Sequence, residues 1–330
     1  MLKSCHYFME KNTSNAIIVL VGIVAVVAIC ISGYALITIS DQDSHSGNGY
    51  EMFDSEAYYE RVKGYAETIR SQTDIVPEIA IVLGSGLGSF IEGVDVHTTI
   101  PYSTLEGFPQ STVQGHAGNF ILGTMAGKDI IVMQGRVHYY EGYPSTEVVL
   151  PLRVMHELGA KFIIITNAVG TLNYDYEPGT FMVVEDHISL VPSPLIGPNV
   201  DQMGQRFVPM NNAYDSLMME ILKEIADSHD ITLHRGTFIQ VTGPQYETPA
   251  EIEMYREWGA DTVGMSSAIE TIAATHCGMK VCNINCITNL AAGMGGYVPT
   301  HEEVQEMSKK MAKDLIVMLN ELIAKIGEKP

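Results

Sequence analysis

Short apolar segments alternate with amphipathic ones along most of the chain, from about residue 53 to the C-terminus. Apolar runs bounded by turn residues are typical of buried strands, and apolar positions three and four residues apart indicate helices. The pattern predicts strands over 79–83, 130–133, 162–166, 181–184, 238–241 and 281–288, and helices over 55–71, 146–158, 214–228, 249–258 and from 301 onward. Such alternation predicts a single α/β domain around a largely buried sheet.

An uncharged apolar run of 24 residues covers positions 16–39 and follows an N-terminal tail, residues 1–15. A helix of that length is long enough to cross a hydrocarbon core of about 30 Å, so we expect a single-pass N-terminal membrane anchor. A cleaved signal peptide is the alternative, which the length of the run disfavours. Lys3 and Lys11 precede the run while Asp41 and Asp43 follow it, which favours a cytoplasmic N-terminus.

Residues 40–52 form a polar segment with glycine and serine, which predicts a linker between the anchor and a domain over 53–330. Met52 is an alternative start of translation. A chain that began there would lack the apolar run, and we would expect it to be cytoplasmic.

The composition excludes two classes of protein. With 39 acidic against 19 basic side chains, and a net charge of -20, the chain lacks the basic surface that nucleic-acid binding requires. The cysteines form no CxxC pair and no finger-like pattern with histidine, so neither a zinc site nor a disulfide framework is predicted. We expect them to be buried, reduced thiols: Cys5, Cys30, Cys277, Cys282 and Cys286.

A glycine-rich turn follows the first predicted strand, with the sequence Gly84-Ser85-Gly86-Leu87-Gly88-Ser89. Glycines let backbone N–H groups approach an anion, and Ser85 adds a hydroxyl donor. The turn lacks the third glycine of a dinucleotide-binding fingerprint and the lysine of a P-loop. A tight strand-to-helix turn without a ligand is the alternative.

A second polar cluster follows the strand predicted at 130–133. Arg136 offers a planar fork for a phosphate group, and His138, two residues further on, points the same way if the segment is extended. Phosphate binding is therefore predicted for this pair. The alternative is a surface arginine paired with Glu141.

Polar residues recur at the ends of other predicted strands. Open α/β sheets bind ligands outside the carboxyl ends of their strands, so this repetition indicates one shared crevice. The residues are Asn167-Ala168, Tyr246-Glu247-Thr248, Met265-Ser266-Ser267 and Thr288-Asn289. His116 lies in a glycine-flanked loop, and His301 begins the last predicted helix.

From about residue 53 to the C-terminus, the chain resembles the trimeric purine nucleoside phosphorylases that are specific for 6-oxopurines. The segments that carry the resemblance follow the family's order and spacing: GSGLG, STVQGHAG, QGRVHYYEGY, TNAVGTL, GPQYETPAE, GADTVGMSSAIE and CITNLAAG. The resemblance implies that 53–330 is the catalytic domain. It also implies a Rossmann-like α/β fold with a mixed, twisted central sheet flanked by helices, here preceded by one N-terminal hydrophobic helix.

The resemblance also implies roles for individual residues. The phosphate site would comprise Ser85, His116, Arg136, His138, Ala168 through its backbone N–H, and Ser266. The nucleoside would contact Tyr140, Tyr246, Glu247, Met265, Asn289 and His301, with His138, Glu247 and Asn289 as the catalytic residues. In the homotrimer that is usual for the family, a neighbouring subunit lends an aromatic side chain to each site, and Met203 stands at that position in this sequence.

The implied reaction is phosphorolysis of inosine, guanosine and their 2′-deoxy forms to the free base and (deoxy)ribose 1-phosphate. Inorganic phosphate is a co-substrate, and no cofactor or metal is expected. Glu247 can accept from the N1–H of hypoxanthine or guanine, which adenine lacks, so we expect adenosine to be strongly rejected. The alternatives are a 5′-methylthioadenosine phosphorylase, which the amide of Asn289 disfavours, and a non-catalytic membrane-tethered nucleoside-binding protein.

Overall fold

The structure is a computed structural model that describes residues 53–113 and 115–327. The predicted tail 1–15, membrane span 16–39 and linker 40–52 lie outside the described residues. Within the described residues, no helix combines the length and the apolar character needed to cross a membrane.

The described residues form nine strands and seven α-helices. The strands are β1 Ile79–Val82, β2 Asp95–Pro101, β3 Asn119–Met125, β4 Lys128–Gln134, β5 Phe162–Thr171, β6 Phe181–Ser189, β7 Leu233–Gln240, β8 Thr262–Gly264 and β9 Lys280–Leu290. The helices are α1 Ser55–Arg70, α2 Ser145–Val148, α3 Leu150–Glu157, α4 Ser216–Ser228, α5 Pro249–Glu257, α6 Ala268–His276 and α7 His301–Lys325.

The strands form one mixed sheet in the order β2-β3-β4-β1-β5-β8-β7-β6-β9. β5 is its central strand: it pairs parallel with β1 and with β9 and antiparallel with β8. Because β9 also pairs with β6, the strands β5, β8, β7, β6 and β9 close into a ring. The structure thus confirms the mixed α/β architecture that the sequence predicts.

All six predicted strands are present, and most extend beyond their predicted bounds. Strands β2, β3 and β8 and helix α6 were not predicted: β2 has a single buried residue, Ile100, and β8 is three residues long. The single helix predicted over 146–158 is wrong, because α2 ends at Val148 and α3 begins at Leu150. Pro151 lies in the first turn of α3, where it lacks the N–H that a continuous helix would require.

Apolar residues fill the interior of the sheet. Every residue of β1 is buried, as are nine of the eleven residues of β9. The described cysteines, Cys277, Cys282 and Cys286, are free and buried, which confirms the prediction for these three. Burial raises the pKa of Cys282 and of Cys286 to about 12. Cys5 and Cys30 lie outside the described residues.

Candidate active site

One cavity of about 770 Å³, including its open mouth, lies where the carboxyl-terminal parts of β1, β4, β5, β8 and β9 meet. Eleven of the residues predicted for the site line it: Ser85, Arg136, His138, Tyr140, Ala168, Tyr246, Glu247, Met265, Ser266, Asn289 and His301. Two others, His116 and Met203, are not part of its lining. Seven separate segments of the sequence are therefore brought to one cavity, as the repeated polar strand ends predict.

The glycine-rich turn after β1 is shaped by close packing. A Cβ on Gly84 would lie 3.0 Å from the Thr166 carbonyl oxygen, and one on Gly86 would lie 2.7 Å from Ser308 Cβ, at a φ of +78°. Only glycine fits both positions without displacing its neighbours. The turn places Ser85 Oγ 3.2 Å from His116 Nε2 and on the wall of the cavity.

Arg136 is 1% exposed although it contacts the cavity. Its Nη1 donates to Ser266 Oγ at 2.9 Å, and its Nη2 donates to the Thr166 carbonyl oxygen at 2.5 Å. Nε has no hydrogen-bond partner among the described residues. The alternative of a surface arginine paired with Glu141 is therefore wrong, and the guanidinium keeps N–H donors available for an anion.

A chain of hydrogen bonds extends from Arg136 into the sheet. Ser266 Oγ accepts from Arg136 and donates to Asn167 Oδ1 at 2.8 Å, and Asn167 Nδ2 donates to Ser267 Oγ at 3.2 Å. Since the single hydroxyl hydrogen of Ser266 is engaged by Asn167, Ser266 must rotate it to donate to an anion. This chain fixes Arg136 relative to both β5 and the residues after β8.

His138 is held by the carboxylate of Glu141. The Nδ1 atom of His138 lies 3.0 Å from Glu141 Oε1, which also accepts from the backbone N–H of His138 at 2.7 Å. The imidazole stacks on Tyr140, with 4.7 Å between ring centroids. Burial lowers the pKa of His138. Burial would raise the pKa of Glu141, but hydrogen bonds from His138 and Thr112 outweigh it and lower that pKa to about 2.

His116 lies behind Ser85 rather than on the cavity wall. Its Nδ1 is 2.8 Å from the Arg136 carbonyl oxygen and 3.1 Å from the Arg136 backbone nitrogen, so it donates to one or accepts from the other. Burial, followed by the proximity of His138, lowers the pKa of His116 to about 4. Burial thus favours the neutral form of both histidines, and Arg136 supplies the positive charge at this end of the cavity.

The opposite end of the cavity carries a carboxylate and an amide. Glu247 directly precedes Thr248, which caps α5 through a reciprocal capping box with Glu251, so Glu247 stays outside the helix. Burial raises the pKa of Glu247. Asn289 is 7% exposed; its Oδ1 accepts from Thr288 Oγ1 at 2.7 Å, and its Nδ2 donates to the Leu290 carbonyl oxygen at 2.8 Å. The amide keeps one N–H free to donate.

The two remaining predicted residues, His301 and Met203, differ from each other in burial. His301 is the first residue of α7, is exposed, and has its Nε2 2.9 Å from Gln305 Nε2. Met203 is 4% exposed and lies 3.7 Å, sulfur to sulfur, from Cys277 of its own chain. Its contact with a neighbouring subunit stays a prediction.

Sequence reasoning missed one charged residue of the site. Glu270 Oε2 lies 3.2 Å from Arg136 Nη1, and the Glu270 side chain is 3% exposed. The sequence feature that could have identified Glu270 is a single carboxylate within a segment that otherwise suits the protein interior, Ala268-Ile269-Glu270-Thr271-Ile272-Ala273-Ala274. No group of three or more His, Cys, Asp or Glu residues in the described part of the chain is arranged to hold a metal ion.

This fold and this cavity define a member of the phosphorylase superfamily, whose family model matches residues 78–324. Purine nucleoside phosphorylase 1 of Geobacillus stearothermophilus is 41% identical over 80% of this chain and 96% of its own length. The chain therefore belongs to the purine nucleoside phosphorylases.

Solved structures agree with this family. The crystal structure of Schistosoma mansoni purine nucleoside phosphorylase in complex with adenosine has a TM-score of 0.77 and 40% identity, over 81% of this chain and 97% of that chain. A crystal structure of Schistosoma mansoni purine nucleoside phosphorylase in complex with inosine has a TM-score of 0.77 and 38% identity, over 81% of this chain and 96% of that chain.

Proposed function

We propose that the cavity holds inorganic phosphate at its Arg136 end and a 6-oxopurine nucleoside at its Glu247 end. The reaction is phosphorolysis of inosine, guanosine and their 2′-deoxy forms to the base and (deoxy)ribose 1-phosphate. The observation that carries the proposal is the polarity of the cavity: a buried guanidinium with unused N–H donors at one end and a half-buried carboxylate at the other.

At the phosphate end, the anion receives hydrogen bonds from Arg136, Ser85, Ser266 and the backbone N–H of Ala168. His138 donates its Nδ1–H to Glu141, so its Nε2 accepts from the hydroxyl of hydrogen phosphate. His116 acts from behind Ser85, and when its Nε2–H donates to Ser85 Oγ, the serine hydroxyl is free to donate to phosphate. Phosphate held in line behind the anomeric carbon serves as the nucleophile and stabilises the positive charge that develops on the sugar.

At the base end, Glu247 accepts from N1–H of the purine and Asn289 donates to N7, which stabilises the negative charge that the leaving base acquires. Tyr246 packs against the purine, and Tyr140, Met265 and His301 contact the ribose. Neither a metal nor a cofactor takes part in this scheme.

Adenine tests this assignment because it has no N1–H for Glu247. The S. mansoni enzyme has been crystallised with adenosine, so in that relative the nucleoside is accommodated. For this chain we propose that discrimination against adenosine appears in kcat/KM, because the unpaired Glu247 raises the barrier to cleavage. The amide of Asn289 favours this reaction over that of a 5′-methylthioadenosine phosphorylase.

The test is release of hypoxanthine from inosine with and without phosphate, with ribose 1-phosphate measured as the second product. We expect release only with phosphate. Equal rates in its absence would identify a nucleoside hydrolase, and absence of release in both would leave a binding protein.

We further propose that the active unit is a homotrimer with Met203 near the neighbouring site. Light scattering coupled to gel filtration measures the mass directly, and a monomer with full activity would refute the proposal. If Met203 supplies apolar cover to a neighbour, Met203→Ala raises KM for inosine without changing KM for phosphate.

The apolar run 16–39 supports a further proposal, an N-terminal membrane anchor. Full-length protein then sediments with membranes, whereas protein that starts at Met52 stays in the supernatant and is active. Full-length protein in the soluble fraction, with Met52 as its N-terminal residue, would refute the anchor and favour a cytoplasmic protein.

A further inference from the structure

Glu270 is a buried carboxyl group next to the phosphate end of the cavity, where burial raises its pKa and the adjacent Arg136 opposes that shift by favouring the ionised form. Its Oε2 lies 3.2 Å from Arg136 Nη1, yet that oxygen accepts no hydrogen bond from any described residue. The contact is therefore electrostatic, and it leaves Nε–H and the other guanidinium N–H groups that do not bond to Ser266 or Thr166 unclaimed. Such a carboxylate neutralises a buried arginine without occupying the donors that an anion needs.

The fold places Glu270 and Ser266 on the same side of Arg136. Ser267 occupies the N-cap position of α6 without a side-chain capping hydrogen bond, and Glu270 lies in the first turn of that helix, where the backbone N–H groups favour a negative charge. Ser266, just before the cap, accepts from Arg136 Nη1. Arg136 is thus held between the start of α6 and the Thr166 carbonyl of β5.

The other carboxylate near this end of the cavity is engaged elsewhere. Glu141 accepts from the backbone N–H and lies at 3.0 Å from Nδ1 of His138, and it also accepts from Thr112. Glu270 is therefore the counter-charge of Arg136 within the described residues. Without it, the guanidinium would be a buried, uncompensated charge, which is costly.

We propose that Glu270 is a positioning residue that also sets the affinity for phosphate: it balances the charge of Arg136 in the empty site and opposes the incoming anion. The inference rests on the proposed binding of phosphate at Arg136. A carboxylate behind the guanidinium makes the local charge neutral, so phosphate and the product ribose 1-phosphate bind less tightly than an isolated arginine would allow. Product release is correspondingly faster.

The test is the variant Glu270→Gln, which keeps the size of the side chain and removes its charge. Neighbouring charges shift a proton equilibrium by one to three powers of ten, so we expect Kd for inorganic phosphate to fall by about tenfold or more. Isothermal titration calorimetry with phosphate measures it. We also expect stronger inhibition by ribose 1-phosphate, a lower Tm without phosphate and a larger increase of Tm on adding it, because phosphate then supplies the missing charge.

Two control variants separate this role from a structural one. Glu270→Asp keeps the charge but places it one methylene further from Arg136, so its Kd for phosphate should lie between those of wild type and Glu270→Gln. If Glu270→Gln does not fold, the comparison of Glu270→Asp with wild type tests the same prediction. Thr271→Val alters the next residue of α6, which is fully buried and outside the cavity lining, and should leave Kd for phosphate unchanged.

The possible outcomes are distinct. A lower Tm with unchanged Kd for phosphate in Glu270→Gln would show a purely structural role, and weaker binding would show that Glu270 only holds Arg136 in place; either result refutes the affinity-setting role. If the wild type itself does not bind phosphate, the proposed function fails as well.

Discussion

Replacing Asn289 by aspartate changes the hydrogen bonds at the base end of the cavity while hardly changing its shape. The amide Nδ2 donates to the Leu290 carbonyl oxygen at 2.8 Å, and the residue is 7% exposed. In Asn289→Asp, an ionised carboxylate would place an oxygen against that carbonyl and could no longer donate to N7 of the purine. Taking up a proton restores one donor, but that donor must then serve either Leu290 or N7.

The magnitude follows from these contacts. A buried acceptor that meets another acceptor costs about 1 to 3 kcal/mol, or roughly 5- to 150-fold in rate, and we expect kcat/KM for inosine to fall by this amount. Adenosine loses less, because the carboxylate can accept from its exocyclic amine. Since Glu247 still lacks its partner when adenine is bound, the change of preference should be partial.

The measurement is the ratio of kcat/KM for adenosine to that for inosine in wild type and Asn289→Asp. Thr288→Val is the matched control: it removes the hydroxyl that donates to Asn289 Oδ1 but leaves the amide, so both rates should fall together. An unchanged ratio in Asn289→Asp would show that Asn289 does not contact the base.

Three further predictions concern the phosphate end and its support. Arg136→Ala should raise KM for phosphate by about tenfold or more, through loss of charge-assisted bonds, while KM for inosine changes little; equal changes would remove Arg136 from the anion site. His116 has a pKa of about 4 in the folded protein, below its unfolded value, so its contribution to stability is complete above pH 6.5 and is lost as the pH falls. Without phosphate, the loss of unfolding free energy between pH 6.5 and 5, measured in urea, should be smaller by about 2 kcal/mol in His116→Gln than in wild type; the buried His276, whose pKa is also about 4, contributes the same loss to both proteins. Gly86→Ala should destabilise the protein by about 2 kcal/mol or more, because of its positive φ and the contact with Ser308, whereas Gly88→Ala, where a Cβ meets nothing within 4 Å, should stay within about 0.5 kcal/mol of wild type.

The central strands were predictable because they are buried on both faces. The residues of β1 are all apolar, and a continuous apolar run between turn residues needs no other signal. β2 was not predicted because it lies at the edge of the sheet and, with exposed Asp95 and Thr99, has no continuous apolar run. β8 is too short for any periodicity, and its pairing with β5 and β7 depends on tertiary contacts that are distant in sequence.

At the site, motifs and strand ends predicted the residues but not their partners. Arg136 was predicted to bind an anion, but its burial and its contact with Glu270 were not predicted. Both arise because α6 begins beside the end of β4. The contact between Arg136 and Ser266 joins residues that lie 130 positions apart in the sequence. The same limit applies to His116. A glycine-flanked loop suggests an exposed ligand-binding histidine, whereas Gly135, with a φ of +100°, lets the loop pack closely enough to place the imidazole behind Ser85.

The buried cysteines of β9 have a practical consequence for experiments. Cys282 and Cys286 are inaccessible and hold their protons at neutral pH, so alkylating reagents reach them only when β9 separates from β5 and β6. Asn289 lies near the end of the same strand. A ligand that binds only the closed form slows that opening in proportion to its occupancy. Alkylation of the β9 peptide, followed by mass spectrometry, therefore reports nucleoside or phosphate binding in variants that have lost all turnover.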